Sequence, residues 1–203
     1  MDDRKFDEKS ATEWTSLIES EGAKIRETYL YPVLCDWLLE NHVNSVLDVG
    51  CGQGICSMHL PPTIQYSGID PSPFLIERAK NFYPAKEFNL GSIYSLPFKE
   101  SSFDAFFSIA VFHLLENPQK AAEECARILH QKGHFWILTA DPEQKEAWTS
   151  SDPGTWNGIR FDGNDVLYFH SVKSLKESLS KAALKVEKVS VLRQFIVLQG
   201  IKR

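Results

Sequence analysis

The residues best equipped for chemistry crowd into one short stretch, "VLDVGCGQG", Val46 to Gly54. Asp48 brings a carboxylate, and Gly50, Gly52 and Gly54 recur at every second position behind Val46, Leu47 and Val49. A flexible linker would not carry that apolar run. The stretch reads as a buried strand entering a tight loop, where glycine lets the backbone approach a ligand closely. The spacing bears on which ligand. A dinucleotide fingerprint needs G-x-G-x-x-G, with amides and a helix N-terminus around a pyrophosphate. Here the pattern is G-x-G-x-G and Ile55 holds the third dinucleotide position, which disfavours a nicotinamide dehydrogenase. Asp48 would repel a pyrophosphate and attract an ammonium or sulfonium. The loop therefore favours a cationic, phosphate-free nucleoside.

The elements that must position these residues alternate between strands and helices. The first forty residues read as helical, with Trp14, Leu17, Ile18, Ile25 and Tyr29 on one stripe. Pro32 reads as the first position of a new helix, with Val33, Leu34, Trp37 and Leu38 on one face. After the "VLDVG" strand, Ile55 to Leu60 reads as a short helix stopped by Pro61-Pro62. The second strand, "QYSGID", ends at Asp70, and Ser72-Pro73 caps the helix bearing Phe74, Leu75, Ala79 and Phe82. A third strand lies near "AKEFNL" and a fourth at Phe103 to Ala110. Asn117-Pro118 starts a helix whose C-terminus is expected at Gly133, before the strand "HFWILTA". Ser171 caps a last helix with Leu175 and Leu179. "LKVEKVSVL" and "QFIVLQGIK" then lie too close for anything but an antiparallel hairpin.

This pattern predicts one α/β domain over residues 1–203, a doubly wound, mostly parallel seven-stranded sheet with a terminal antiparallel hairpin. Residues 1–42 form a helical cap, 43–140 the core, 141–170 a long connection, and 171–203 the last helix and hairpin. In such sheets a ligand sits beyond the carboxyl ends of the strands.

Several blocks together resemble class I S-adenosylmethionine-dependent methyltransferases of the type 11 small-molecule branch. "LDVGCGQG" is similar to their first motif, and "YSGIDPSPFLIERAK" to their second strand and helix. "GSIYSLPFKESSFDAFFS" resembles their "LPF…SFD" block, and "ENPQKAAEECARILHQKGHFWI" the helix and fifth strand that follow. The resemblance implies S-adenosyl-L-methionine as cofactor, S-adenosyl-L-homocysteine as product, and in-line methyl transfer to a small-molecule acceptor. The alternative it leaves is a methyltransferase-like protein that binds the cofactor without turnover. It implies a cofactor site drawn from Arg26, Asp48, Gly50, Cys51, Gly52, Gly54, Asp70, Pro71, Ser92, Ile93, Ser108 and Ile109. Asp70 would take both ribose hydroxyls, or else cap the following helix. Arg26 would pair with the methionine carboxylate, or else be a solvated surface arginine. Ser92 stands where the family usually has an acid facing the adenine amino group, so adenine would lean on the Ile93 amide and side chain. Ala183 stands where the family often has glycine.

His113 is the weak candidate for a catalytic base, and a hydrogen-bonded histidine lining the pocket is the favoured reading, because methyl transfer often needs only proximity and orientation. Asp141 to His170 is long for a connection and carries Trp148, Trp156, Phe161, Tyr168 and Phe169. It reads as a lid over an acceptor that is partly apolar or carries a cation able to sit on an aromatic face, or as satellite packing.

Composition limits the remaining classes. The chain has 203 residues, 43% hydrophobic and 24% charged, with net charge −5. A negative surface disfavours a nucleic-acid partner. No apolar run suffices for a membrane span, and the charged N-terminus does not read as a signal peptide, which together predict a cytoplasmic protein. Cys35, Cys51, Cys56 and Cys125 make no C-x-x-C pair, so no metal site is expected.

Overall fold

The structure is a computed structural model that describes residues 12, 15, 19, 24–141, 143, 168, 170–193 and 195–203. Its seven strands are β1 (Ser45–Val49), β2 (Gln65–Asp70), β3 (Glu87–Leu90), β4 (Phe103–Ile109), β5 (Leu129–Ala140), β6 (Leu184–Leu192) and β7 (Phe195–Lys202). They form one sheet in the order β3-β2-β1-β4-β5-β7-β6. Pairing is parallel from β3 through to β5, and β7 runs antiparallel to both β5 and β6. The expected architecture, including the terminal hairpin, is what the chain adopts.

The pleat sends alternate side chains to opposite faces. On β4, Ala105 and Phe107 join one apolar cluster with Leu34, Leu38 and Ile76, while Phe106 joins the other with Ala122, Cys125, Leu175 and Leu179. The first face is covered by α1 (Tyr31–Glu40) and α2 (Pro73–Phe82), the second by α3 (Pro118–Ile128) and α4 (Val172–Lys181). The predicted caps form: Ser72 accepts from the Leu75 amide, Asn117 from Lys120 and Ser171 from Ser174.

Four local expectations are corrected. The inward line of the N-terminal helix is Arg26, Leu30, Leu34 and Leu38, whereas Tyr29 and Val33 are exposed and Ile25 is half-buried. A hydrophobic-pattern reading turns an arginine outward, and here the arginine lies on the buried line, which rotates the face by one residue. Trp14, Leu17 and Ile18 lie outside the described residues. Pro32 does stand at the start of α1, as its second residue, but the helix is not separate from what precedes it. A π-helical turn, Arg26–Leu30, runs directly into α1, and the Tyr31 amide donates to the Arg26 carbonyl. After Gly54 there is only a single 3₁₀ turn, Ile55–Met58, since the two prolines leave no room for elongation. Finally, α3 ends at Ile128 and passes straight into β5; Lys132, with φ 64°, takes the left-handed conformation expected of Gly133. Gly133 lies in the strand, where a Cβ would stand 2.9 Å from the His130 carbonyl oxygen and 3.0 Å from that of Asp104.

Candidate active site

The loop after β1 is held by the end of β2. The Gly50 and Cys51 amides donate to the Ile69 carbonyl at 2.8 and 3.0 Å. The Gly52 amide donates to Asp70 Oδ2 at 2.9 Å, and the Ser72 amide to Asp70 Oδ1 at 2.9 Å. Gly50, Gly52 and Gly54 have φ of 80°, 55° and 79°, a region that L side chains rarely enter. At Gly54 a Cβ would also meet the Phe88 ring at 2.5 Å. The N-terminal segment is pinned to this loop from above. Gln53 donates to Glu19, Arg78 of α2 bonds both, and Tyr31 stacks on His59 with ring centroids 4.3 Å apart.

Asp48 lies beneath the loop, buried, and accepts from the Tyr66 hydroxyl at 2.8 Å. That contact needs Gly68, which pairs with Asp48 across β1 and β2. A Cβ at Gly68 would stand 2.9 Å from both the Tyr66 hydroxyl and the Cys51 sulfur. Burial pushes the Asp48 carboxyl up to about 7; the Tyr66 hydrogen bond opposes this and the Asp70 charge adds to it. Burial likewise raises Asp70 to about 6, against the pull of the Ser72 and Gly52 amides. Cys51, Cys56 and Tyr31 feel the Asp48 charge from the loop and the N-terminal helix. Arg26 completes the surroundings, its guanidinium pKa lowered by burial.

These groups line an open cavity of about 440 Å³ bounded by Arg26, Tyr31, Asp48, Gly50, Cys51, Gly52, Gln53, Ile55, Cys56 and Ile109. A carboxylate and a guanidinium share its wall, the pairing that suits the two charged ends of an α-amino acid. A second cavity, of about 410 Å³, adjoins it. Its walls are Ile25, Arg26, Tyr29 and Leu30 from the N-terminal helix, Ile109, Ala110 and Leu138 from the strand ends, and Leu192, Arg193 and Phe195 from the hairpin. Arg26 and Ile109 belong to both cavities.

Residues 47–137 match the profile of the type 11 methyltransferase domain. That stretch, from β1 into β5 and just under half of the chain, is what the chain shares with this family. Demethylmenaquinone methyltransferase of Thermotoga maritima is 30% identical over 115 residues, covering 55% of this chain and 50% of that protein. A tRNA (carboxymethyluridine(34)-5-O)-methyltransferase of Saccharomyces cerevisiae is 31% identical over 100 residues, 49% of this chain and 36% of that one. The chain thus spans half or less of the length of these two relatives. Among solved structures, PH0226 protein from Pyrococcus horikoshii superposes with a TM-score of 0.74 at 22% identity, covering 91% of this chain and 92% of that one. The likeness confirms the fold.

The cofactor that this domain implies is S-adenosylmethionine. The site fits it: left-handed glycines, a buried carboxylate and a buried arginine meet around one cavity. Of the sequence-predicted residues, the structure brings Arg26, Asp48, Gly50, Cys51, Gly52 and Ile109 into that cavity wall. Arg26 is a buried residue and not a solvated one. Gly54 and Asp70 shape the loop from behind, and Asp70 does cap the chain entering α2. Pro71 is exposed beside it. Ser92 and Ile93 follow β3, tied to β2 through the Gly91 amide on the Asp70 carbonyl; the Ser92 hydroxyl accepts from the Tyr94 amide.

Two predicted residues spend side-chain hydrogen bonds inside the fold, as the favoured reading of His113 expects. Ser108 is fully buried and its hydroxyl donates to the Val49 carbonyl at 2.9 Å, clamping β1 to β4. His113 is buried, and its Nδ1 accepts from the Ala140 amide and lies 3.2 Å from Thr139 Oγ1. Burial, with His170 nearby, lowers its pKa to about 4, so the ring is neutral and a weak base at neutral pH. The Tyr168 amide donates to the His113 carbonyl at 2.7 Å, which ties down the end of the long connection. Trp148, Trp156, Phe161 and Phe169 lie outside the described residues. Tyr66, Gly68, Leu138, Leu192 and Phe195 were missed. Gly68, a glycine inside the strand "QYSGID", was the available signal for a close approach. Among the described residues no group of three or more His, Cys, Asp or Glu could hold a metal ion. No described helix is long and apolar enough to cross a membrane.

Proposed function

We propose that this protein transfers a methyl group from S-adenosylmethionine to a small-molecule acceptor. The observation that carries the reading is the pair of adjoining cavities, one charged and one apolar, that share Arg26 and Ile109. The first suits a cofactor with an amino-acid end. Asp48, held by Tyr66, would face the ammonium and Arg26 the carboxylate, with Gly50, Cys51 and Gly52 giving close backbone approach. Asp70 would accept from the ribose hydroxyls with the lone pairs its amide partners leave, and Pro71, Ser92 and Ile93 would flank the adenine. When bound, the cofactor supplies an electrophilic methyl on a sulfonium; the acceptor's lone pair takes that carbon and the carbon–sulfur electron pair stays on sulfur.

The chain's own part is then to orient and to exclude water. Leu30, Ala110, Leu138 and Phe195 make the second cavity apolar, and Ile109 stands between the two. Among the described residues no carboxylate or histidine lines this cavity, and His113 bonds Ala140 and Thr139 instead. Incubating the chain with methyl-labelled cofactor and a cell extract tests the reading. Label is expected in the low-mass fraction. Label confined to RNA or protein would refute a small-molecule acceptor, and cofactor binding without any labelled product would favour a binding protein.

A further inference from the structure

Gln53 stands between Gly52 and Gly54, whose left-handed backbones turn the loop, and it is buried in the wall of the charged cavity. Its amide joins two charged groups from elsewhere in the chain. Nε2 donates to Glu19 Oε1 at 3.2 Å, and Oε1 accepts from Arg78 Nε at 3.1 Å. Arg78 Nη2 closes the triangle on Glu19 Oε1 at 3.0 Å. The amide has one sensible orientation here: turned over, its NH2 would face the guanidinium and its oxygen the carboxylate. Three separate parts of the chain thus meet at one buried amide: the N-terminal segment, the glycine loop and α2. We propose that Gln53 is a positioning residue that couples cofactor binding to docking of the N-terminal segment. The proposal rests on the methyl-transfer reading above and adds how the cofactor is retained.

Further along that segment, Arg26 and Tyr31 line the same cavity. They touch a cofactor only while the segment lies on the loop, whereas Gly50, Cys51 and Gly52 belong to the loop itself. A cofactor therefore binds the docked form better, through contacts that the undocked form lacks. By linkage it holds the segment down in return. The triangle sets the strength of this coupling. The Glu19 and Arg78 side chains are 51% and 31% accessible, so their ion pair by itself adds little. The amide differs because it is buried. Removing the Glu19 carboxylate leaves an unpaired buried donor in the docked form alone, which pushes the segment off the loop. Between Glu19 and α1 the chain also takes the π-helical turn Arg26–Leu30, a departure from α-helical register that concentrates at functional sites.

The test uses the full chain and S-adenosylhomocysteine, with Gln53→Met, Glu19→Ala, the two combined, and Glu19→Gln, which keeps an acceptor oxygen for both donors. One readout is the rate of S-adenosylhomocysteine release in a stopped-flow chase. The other is tryptic cleavage after Lys24, an exposed residue of the segment, with and without saturating S-adenosylhomocysteine. In the unaltered chain the ligand is expected to slow that cleavage. Gln53→Met and Glu19→Ala should each speed release roughly tenfold and remove most of the protection, and Glu19→Gln should restore both. The combined variant should release no faster than the single ones, because the two residues act through one contact. A merely structural role would lower the urea midpoint and leave the protection in place. Protection that persists in Gln53→Met, additive effects in the combined variant, or unchanged release in both single variants overturns the coupling. So does an unaltered chain that binds the ligand without protecting Lys24. If Gln53→Met does not fold, Glu19→Ala, at an exposed position, decides by itself: faster release with lost protection supports the coupling, and neither overturns it. Failure of S-adenosylhomocysteine to bind the unaltered chain overturns the methyl-transfer reading itself, and the inference with it.

Discussion

The two cavities share a wall and differ in how they are made. The charged one is largely the work of one contiguous stretch, Asp48 to Cys56, clasped by the end of β2. Its shape is set by backbone: glycines in left-handed conformations, and amides fixed on Ile69 and Asp70. The apolar one has no such stretch. It exists only where the N-terminal helix, β4, β5 and the β6–β7 turn meet, and its shape is set by side chains. A backbone-built cradle tolerates little substitution and suits an invariant ligand. A side-chain-built pocket changes with single residues and suits a ligand that differs between relatives. The comparison predicts that variants of the first cavity damage fold and cofactor binding together, whereas variants of the second leave both nearly intact.

The strongest way to break that contrast is Gly54→Ala. The new Cβ would sit 2.5 Å from the Phe88 ring on a residue with φ 79°. Backbone strain and overpacking together should cost about 3 kcal/mol or more. Denaturant titration is expected to show this, with cofactor binding lost. A variant of native stability would mean that the loop is soft.

Asp70→Ala should come next. It removes the acceptor of two amides, so folding should lose about 2–4 kcal/mol. S-adenosylhomocysteine affinity, measured on the folded fraction, should fall as well. Lost stability with unaltered affinity would make Asp70 a loop clasp and nothing more. Arg26→Met tests the shared wall. Loss of a charge-assisted partner should weaken S-adenosylhomocysteine roughly 10- to 100-fold.

A smaller effect sharpens the electrostatic side. Asp48, with its carboxyl at about 7, is ionised above that pH and neutral below it. Attraction for the cofactor's ammonium is therefore lost as pH falls through about 7. Calorimetry should show cofactor affinity dropping about tenfold between about pH 8 and pH 6. Tyr66→Phe removes the hydrogen bond that favours the charged form, so the midpoint should move to higher pH. A profile identical in the variant would detach Tyr66 from Asp48's ionisation. The smallest effect lies far from both cavities. Ala183 has φ 60° at the turn after α4, and Ala183→Gly should add about 0.5–1 kcal/mol of stability without changing any affinity.

The cofactor loop was legible in the sequence for the same reason that it is rigid. A left-handed backbone is a property of residue type, so Gly50, Gly52 and Gly54 announce it, and the strand before them announces itself by its apolar run. The caps at Ser72, Asn117 and Ser171 were legible too, since each works within three residues. The sheet followed from the alternation of strands and helices, and the reversed β7 from the short turn before it. Local rules misled where the site overrode them. Arg26 breaks the hydrophobic pattern of its helix because it lines both cavities. The hydrogen-bonded histidine was the favoured reading of His113, but its partners, like that of Ser108, depend on how the strands register.

By itself, then, the sequence determined the order of elements, the glycine cradle and the resemblance to methyltransferases, all of which depend on residues near one another along the chain. Only the tertiary structure decided that Tyr66 reaches Asp48 across Gly68, that Arg26 faces inward, and that an apolar cavity opens beside Ile109. Each of these brings together groups from separate elements. Their meeting depends on how strands register and helices pack, and no local pattern encodes it.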